Sequence, residues 1–263
     1  MNFFKPKKLL FLLPRWLRFK IFNIKTLKLY KTSTGSYYLP FFAFRDVVRN
    51  TILEDKIFDQ EVYECSKEYI KENSIVIDAG ANYGQLSILF SKLKPNVKVY
   101  AFEAYKYISQ ILSKNVKLNN SNVKIFNYIL SDESKKNLII SKSILQEFNN
   151  YGSNFIDLKK DINKGDLINS IKIDDLNIQE KISFMKIDVQ GYDLKVLKGA
   201  EKTIKRNKMP IIIEYSKEFE KKFDYEFVDF IKILKKLNYK IKKKVSEANY
   251  LIVYDYNFDK WIS

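Results

Sequence analysis

Residues 75–84 read Ile-Val-Ile-Asp-Ala-Gly-Ala-Asn-Tyr-Gly, and residues 99–103 read Val-Tyr-Ala-Phe-Glu. The first stretch is a short apolar run entering a glycine turn. The second is another apolar run, ending in a carboxylate. Largely apolar runs return at 75–77, 184–187 and 211–213, the pattern of strands buried on both faces. Segments of helical spacing lie between them, so strand and helix alternate. That alternation predicts an α/β fold with a mostly parallel, doubly wound sheet of Rossmann-like form.

The pattern places strands at 75–78, 97–102, 123–126, 182–187 and 211–213, the third ending near Ser131-Asp132. Helices are expected at 55–69, 85–93, 108–118, 194–204 and 227–237. Residues 239–241 and 250–254 should close the domain as a hairpin-like pair, which gives the sheet an antiparallel C-terminal strand. Leu138 to Asp175, rich in Asn, Ser and Gly, reads as irregular or short-stranded. Ser36 to Phe44 reads as a strand or turn. Residues 71–263 are expected to form the main domain, and residues 1–70 a basic, partly helical N-terminal extension.

A glycine turn between a strand and a helix is how open α/β sheets hold adenosine-containing cofactors. The dinucleotide fingerprint G-x-G-x-x-G is incomplete, because Gln85 and Leu86 stand where a third glycine is wanted. Asp78 ends the first strand, where a carboxylate would repel a pyrophosphate and suit a cation. S-adenosylmethionine carries a sulfonium and an ammonium group. The sequence therefore favours S-adenosylmethionine over NAD, with Glu103 placed to accept hydrogen bonds from ribose hydroxyls.

Composition narrows the chemistry. There is no histidine, so Ser-His-Asp and Cys-His catalysis and His-containing zinc sites are excluded. A general base must be Asp, Glu, Tyr or Lys. No metal-ligating set stands out, and any divalent ion would be held by oxygens. Cys65 is the single cysteine; it excludes an internal disulfide and reads as a small core residue. The net charge is +16, which admits nucleic acid, anionic membrane and anionic glycan as partners. Arginine, the residue suited to bidentate phosphate contacts, occurs only at Arg15, Arg18, Arg45, Arg49 and Arg206. Nucleic acid accordingly ranks behind a plain compositional bias and behind a membrane or anionic substrate.

Four acidic residues fall at the carboxyl ends of expected strands: Asp78, Glu103, Asp188 and Glu214. In an open parallel sheet that is the ligand-binding edge. Helix capping accounts for part of the Asp188 position, since a glycine and a helix follow it.

With those residues in view, the chain resembles the FkbM family of S-adenosylmethionine-dependent methyltransferases from about Ser74 to Glu214. The resemblance rests on Asp78 to Gly84, Ala101-Phe102-Glu103-Ala104, and Asn115, Leu118 and Asn119 against the family's N-x-x-L-N. It continues through Lys186-Ile187-Asp188-Val189-Gln190-Gly191-Tyr192-Asp193 against K-I-D-V-E-G-x-E, then Leu197-Lys198-Gly199-Ala200 and Pro210 to Glu214. Gln190 and Asp193 depart from the pattern, each standing where the family has Glu. The resemblance implies a class I methyltransferase fold and O-methylation of a hydroxyl, often on a sugar of a surface polysaccharide or glycolipid. On that reading Gly80 and Gly84 admit the methionine portion, Asn82 bonds the amino-acid portion, Glu103 holds the ribose and Asp132 reaches the adenine amino group. Asp188 is the first candidate for the base, or for a ligand to an optional divalent ion, and Glu214 the second.

Two other functions share the fold. An RNA or DNA amino-methyltransferase would explain the charge, but the Asn/Asp-Pro-Pro-aromatic loop is replaced by Asp188-Val189-Gln190-Gly191. A non-catalytic S-adenosylmethionine-binding module would tolerate Gln190. The first 31 residues hold no acid; they read as a helix packed on the domain, or as an amphipathic segment on an anionic leaflet anchored by Trp16, Phe19 and Phe22. Tyr151 to Asn154 is a candidate acceptor wall or a surface turn. The expected location is the cytoplasm, with peripheral contact at the inner membrane surface.

Overall fold

The computed structural model describes residues 26–141, 158–159, 165–223 and 225–257. The N-terminal amphipathic segment and Tyr151 to Asn154 lie outside them. The chain opens with a hairpin, β1 (Leu27–Thr32) and β2 (Gly35–Pro40), followed by α1 (Val47–Leu53) and α2 (Gln60–Ser66). Then come β3 (Ile75–Ala79), α3 (Gln85–Ser91), β4 (Lys98–Phe102), α4 (Lys106–Leu118) and β5 (Val123–Phe126). Short strands follow: β6 (Ile129–Leu130), β7 (Leu138–Ser141), β8 (Leu158–Lys159), β9 (Gly165–Ile168) and β10 (Ser170–Ile171). The remainder is β11 (Ile182–Ile187), α5 (Asp193–Gly199), α6 (Glu201–Asn207), β12 (Ile211–Glu214), α7 (Lys217–Phe223), α8 (Phe227–Leu237), β13 (Tyr239–Lys244) and β14 (Asn249–Tyr254).

The main sheet runs β13-β14-β12-β11-β3-β4-β5. β3, β4, β5, β11 and β12 pair in parallel, and β14 is antiparallel to both neighbours. This is the expected Rossmann-like, doubly wound sheet. Period-two burial assigns its faces. Ile75, Ile77 and Ala79 share one cluster with α5, α6 and α8, while Val76 packs on the other side with Val62, Cys65, Leu86 and Phe90. Strand order reverses at β3, which has β4 on one flank and β11 on the other. The loops leaving β3 and β11 therefore flank the crevice where such sheets bind ligands.

Two expected helices differ, and one helix is unexpected. The segment 55–69 becomes helical only at Gln60, because Asp55 and Asp59 take left-handed φ values of 59° and 54°. The segment 194–204 is two helices that meet at Ala200, whose φ of −115° interrupts the first. α1 was not anticipated; its N-cap, Asp46, accepts from Arg49 N at 2.7 Å. The irregular stretch after Leu138 contains β7, β8 and β9, which form a small antiparallel sheet.

The hairpin is joined to the rest through its edge. Asn115 on α4 and Asn119, its C-cap, lie one turn apart, about 6 Å along the axis. Ser36 and Tyr38 lie two residues apart on β2, about 6.7 Å. Asn115 Oδ1 accepts from Tyr38 N at 2.6 Å, and its Nδ2 donates to Tyr38 O at 3.2 Å. Asn119 Oδ1 accepts from Ser36 N at 3.0 Å, and its Nδ2 donates to Ser36 O at 2.7 Å. Two side-chain amides thus act as the missing neighbour strand. Tyr37 and Leu39, fully buried, then share a cluster with Ile88, Ile111 and Leu112. Among the described residues no helix is long and apolar enough to cross a membrane.

Candidate functional site

A cleft opens at the carboxyl ends of β3, β4 and β11. Its floor is the turn from Asp78 to Gly84, one side carries Phe102 to Tyr105, and the other carries Lys186 to Gln190. Val48 and Phe58 close it from the N-terminal segment, and Tyr128 and Leu130 from beyond β5.

Of the residues expected to hold a cofactor, Asp78, Gly80, Asn82, Gly84 and Glu103 line this cleft. Asp132 is not among its lining residues; it accepts from Ser131 Oγ at 3.0 Å, and its backbone lies against Gly199. Leu130 lines the cleft in that region instead. Asp188 lines the cleft and Glu214 does not, but Gln190 connects them. Its Nε2 donates to Asp188 Oδ1 at 2.9 Å and to Glu214 Oε2 at 3.0 Å.

The two glycines also have a packing role. A Cβ on Gly80, at φ +84°, would stand 1.8 Å from the carbonyl oxygen of Asp188. One on Gly84, at φ +90°, would stand 2.3 Å from Leu112 Cδ1. Both missing side chains would meet protein, so the glycines let the β3 and β11 loops and α4 close up. Gly80→Ala is expected to cost more than about 3 kcal/mol through backbone strain and this clash. Urea unfolding would measure it, and an unchanged midpoint would refute the packing described.

Gln85, in place of the third glycine, fastens the N-terminal wall. Its Nε2 donates to Lys56 O at 2.9 Å, and its Oε1 accepts from Phe58 N at 2.9 Å. Tyr83 adds a second tie, its hydroxyl donating to the buried Asp46 at 2.9 Å. Residues before 70 therefore form part of the site.

Lys186 lies at the electrostatic centre, 3% exposed. Its ammonium donates to Asp188 Oδ2 at 3.2 Å and to Gly80 O at 3.4 Å, and stands 3.8 Å from Asp78 Oδ1. Burial alone would depress its pKa, but Asp188, Asp78 and Asp59 together hold it above the usual lysine range. Burial alone would raise Asp188; the Lys186 charge and hydrogen bonds from Glu214 and Gln190 hold it below the usual carboxylate range. Glu214 goes the other way, to about 10, through burial and the charges of Asp188 and Asp193. The pair thus divides into an ionised Asp188 and a protonated Glu214.

Glu103 is raised to about 7, chiefly by burial, although it accepts from Asn82 N at 3.0 Å and Tyr105 N at 2.9 Å. Each of its oxygens keeps a second lone pair for a ligand. Asp193 is raised to about 7 by burial and by Asp188. It holds the β11 loop, accepting from Val189 N at 3.1 Å and Gly191 N at 2.9 Å, while Gln190 and Gly191 take positive φ.

A cationic cofactor fits this donor set. Asp78 is 1% exposed, and its Oδ1 has no hydrogen-bond donor. Its Oδ2 takes the Ser87 hydroxyl at 2.5 Å. Such an orphaned oxygen beside the cleft suits a ligand carrying donors or positive charge. A metal fits less well: both Asp188 oxygens already face donors, and no metal-holding cluster occurs among the described residues.

Lys186 carried a signal that could have marked it, since a lysine inside a doubly buried strand is rarely tolerated unless paired. Phe58 carried none; only the tertiary fold brings it to the cleft.

A family model described as the methyltransferase FkbM domain matches residues 78–241. The chain is 26% identical over 195 residues to methyltransferase sdnD of Sordaria araneosa, spanning 62% of this chain and 73% of that protein. Among solved structures it is similar to methyltransferase FkbM from Methylobacillus flagellatus KT. That match has 18% identity and a TM-score of 0.44, over 73% of this chain and 50% of the other. It is also similar to TYW2 of M. jannaschii in complex with AdoMet, at 17% identity and a TM-score of 0.40, over 87% of this chain and 84% of that one.

Proposed function

Because the chain belongs to the FkbM methyltransferase family, whose model matches residues 78–241, we propose that it transfers a methyl group from S-adenosylmethionine to a sugar hydroxyl in a cell-surface polysaccharide or glycolipid pathway. The observation that carries the reading is Asp188. It is an ionised carboxylate that reaches the cleft from the end of β11, with one oxygen on Lys186 and the other on Gln190. A hydroxyl must give up a proton as it takes a methyl group, and a carboxylate at the cleft can receive it.

S-adenosylmethionine, when bound, supplies an electrophilic methyl group on a sulfonium. Glu103 would hold the ribose, the Asp78 and Asn82 region the amino-acid portion, and Phe58, Tyr105 and Tyr128 the apolar surroundings of the base. Lys186 and Gln190 fix the direction of the Asp188 carboxylate, and the acceptor hydroxyl would have to approach a lone pair that these two donors leave open. Glu214, already protonated, adds no second negative charge. The sugar acceptor rests on the family resemblance; a site of action in the cytoplasm or at the inner membrane face rests on the single cysteine and the basic, apolar N-terminal stretch. Gln190 does not argue against turnover, because its amide keeps Asp188 ionised and oriented.

The test is incubation with methyl-labelled S-adenosylmethionine and fractionated cell-envelope glycans, followed by mass analysis. Label on a sugar oxygen is the expected result. Label only on RNA, or on no fraction while cofactor binding is intact, would overturn the sugar reading.

A further inference from the structure

Gln190 stands where the family has glutamate, and orienting Asp188 uses only half of its side chain. Both hydrogens on Nε2 are committed, one to Asp188 Oδ1 at 2.9 Å and one to Glu214 Oε2 at 3.0 Å. The orientation of the amide is chemically forced. Asp188, paired with the Lys186 ammonium at 3.2 Å, offers only acceptors, so the amide must turn its nitrogen towards it. That leaves Oε1, which takes no donor among the described residues and is not closed off from solvent. Gln190 lines the cleft beside Asp188, whereas Glu214 does not. The amide oxygen is therefore an open acceptor at the wall of the cleft.

The backbone holds that side chain in place. Gln190 takes a φ of 54°, a left-handed value that residues other than glycine, asparagine and aspartate seldom adopt. Asp193 fixes the turn by accepting from Val189 N and Gly191 N on either side of it. Phe223 closes on Gly191 so tightly that a Cβ there would stand 2.0 Å from its ring. A residue kept in a sparsely populated conformation at the wall of a cleft points to a working position.

We propose that Gln190 selects the acceptor by recognising two hydroxyls on neighbouring carbons, one methylated at Asp188 and the other donating to Gln190 Oε1. The proposal rests on the sugar-methyltransferase reading above. From amide bond lengths and the 2.9 Å contact, Oε1 and Asp188 Oδ1 stand about 4–5 Å apart. Hydroxyl oxygens on adjacent ring carbons lie closer together than that. Each can therefore aim its hydrogen at one of the two acceptors across an ordinary hydrogen-bond length. A lone hydroxyl would leave Oε1 without a donor once the acceptor has displaced water. A hydrogen bond that one compound makes and its analogue cannot is the strongest basis for telling them apart. In the transfer, the oxygen of the first hydroxyl takes the methyl as the carbon–sulfur bond breaks, and its proton passes to Asp188. The second hydroxyl keeps its proton. The products are S-adenosylhomocysteine and a methyl ether beside a free hydroxyl.

The test begins with the envelope glycan that takes label from S-adenosylmethionine. Its methylated sugar, released and examined by mass analysis after its free hydroxyls are derivatised, should carry a free hydroxyl on a carbon next to the methoxyl. A methoxyl with no free hydroxyl on either adjacent carbon overturns the proposal. The second arm is calorimetric binding of that glycan to the full-length protein saturated with S-adenosylhomocysteine, where no turnover occurs. Gln190→Met removes the amide at nearly constant size and should weaken glycan binding about three- to tenfold, the worth of one hydrogen bond. Gln190→Glu keeps an oxygen in the place of Oε1 but gives up the donor to Asp188. It should bind the glycan within about threefold of the wild type even as its turnover falls. S-adenosylhomocysteine should bind both variants as it binds the wild type. Equal glycan binding by the wild type and Gln190→Met, or equal weakening in both variants, overturns the proposal, because the side chain would then serve Asp188 alone. Failure of every sugar to take label, with cofactor binding intact, overturns the sugar reading instead.

Discussion

Asp188→Asn is expected to lower methyl transfer by about 10²- to 10⁴-fold, the range for losing a positioned proton acceptor, and to leave S-adenosylhomocysteine binding in place. The substitution keeps the shape of the side chain and removes its charge. The network can absorb it. The oxygen of the introduced amide can face Lys186. Its nitrogen can donate to Gln190 once the Gln190 amide turns over and takes the Glu214 proton on its oxygen. Glu214→Gln is the comparison that gives the result meaning. Glu214 stands outside the cleft and holds its proton up to about pH 10, so glutamine mimics its resting state. Its expected effect is under about tenfold, as for an outlying hydrogen bond of ordinary worth. Rates measured on the glycan fraction that accepts label would separate the two. Equal losses would mean that the pair acts as one unit, and unchanged turnover in Asp188→Asn would remove Asp188 as the base.

The main sheet was legible because both-face burial leaves a plain mark. Ile75 to Ile77 and Ile211 to Ile213 can be little else than central strands, and they are. The strand-end acids were legible for a related reason, since polar residues that close apolar runs fall at one edge of a parallel sheet. What stayed hidden depended on contacts between distant segments. Asp132 follows a strand end in sequence, but a turn at Asn127 and Tyr128 and the short β6 carry it past the cleft towards Gly199. Gln85 looked like a defect in a nucleotide fingerprint, and only the fold shows it fastening residues 56–58. The N-terminal segment looked like an appendage because its ties to the domain join residues far apart in sequence, as with Tyr38 and Asn115.

Asn115→Ala tests that segment most severely. Asn115 is fully buried, and its amide serves three backbone groups: Tyr38 N, Tyr38 O and Tyr83 O, the last at 2.9 Å. Alanine supplies none of these bonds and leaves no polar replacement. Each orphaned group costs about 1–3 kcal/mol, so the expected loss is about 3–5 kcal/mol. For a chain of this size that is a fall in Tm of roughly 6–20 °C. Asn119→Ala removes the bonds to Ser36, at the part-exposed end of the same seam, where water can take over. It should cost about 1 kcal/mol. The inner amide also braces the glycine turn through Tyr83 O, so Asn115→Ala should weaken S-adenosylhomocysteine binding and Asn119→Ala should not. Thermal unfolding of the two variants, followed by ligand titration of each, reads both effects. Similar small shifts in both would mean that the hairpin is held by its apolar face alone. A large shift confined to Asn115 would show that one asparagine couples the N-terminal wall of the cleft to its floor.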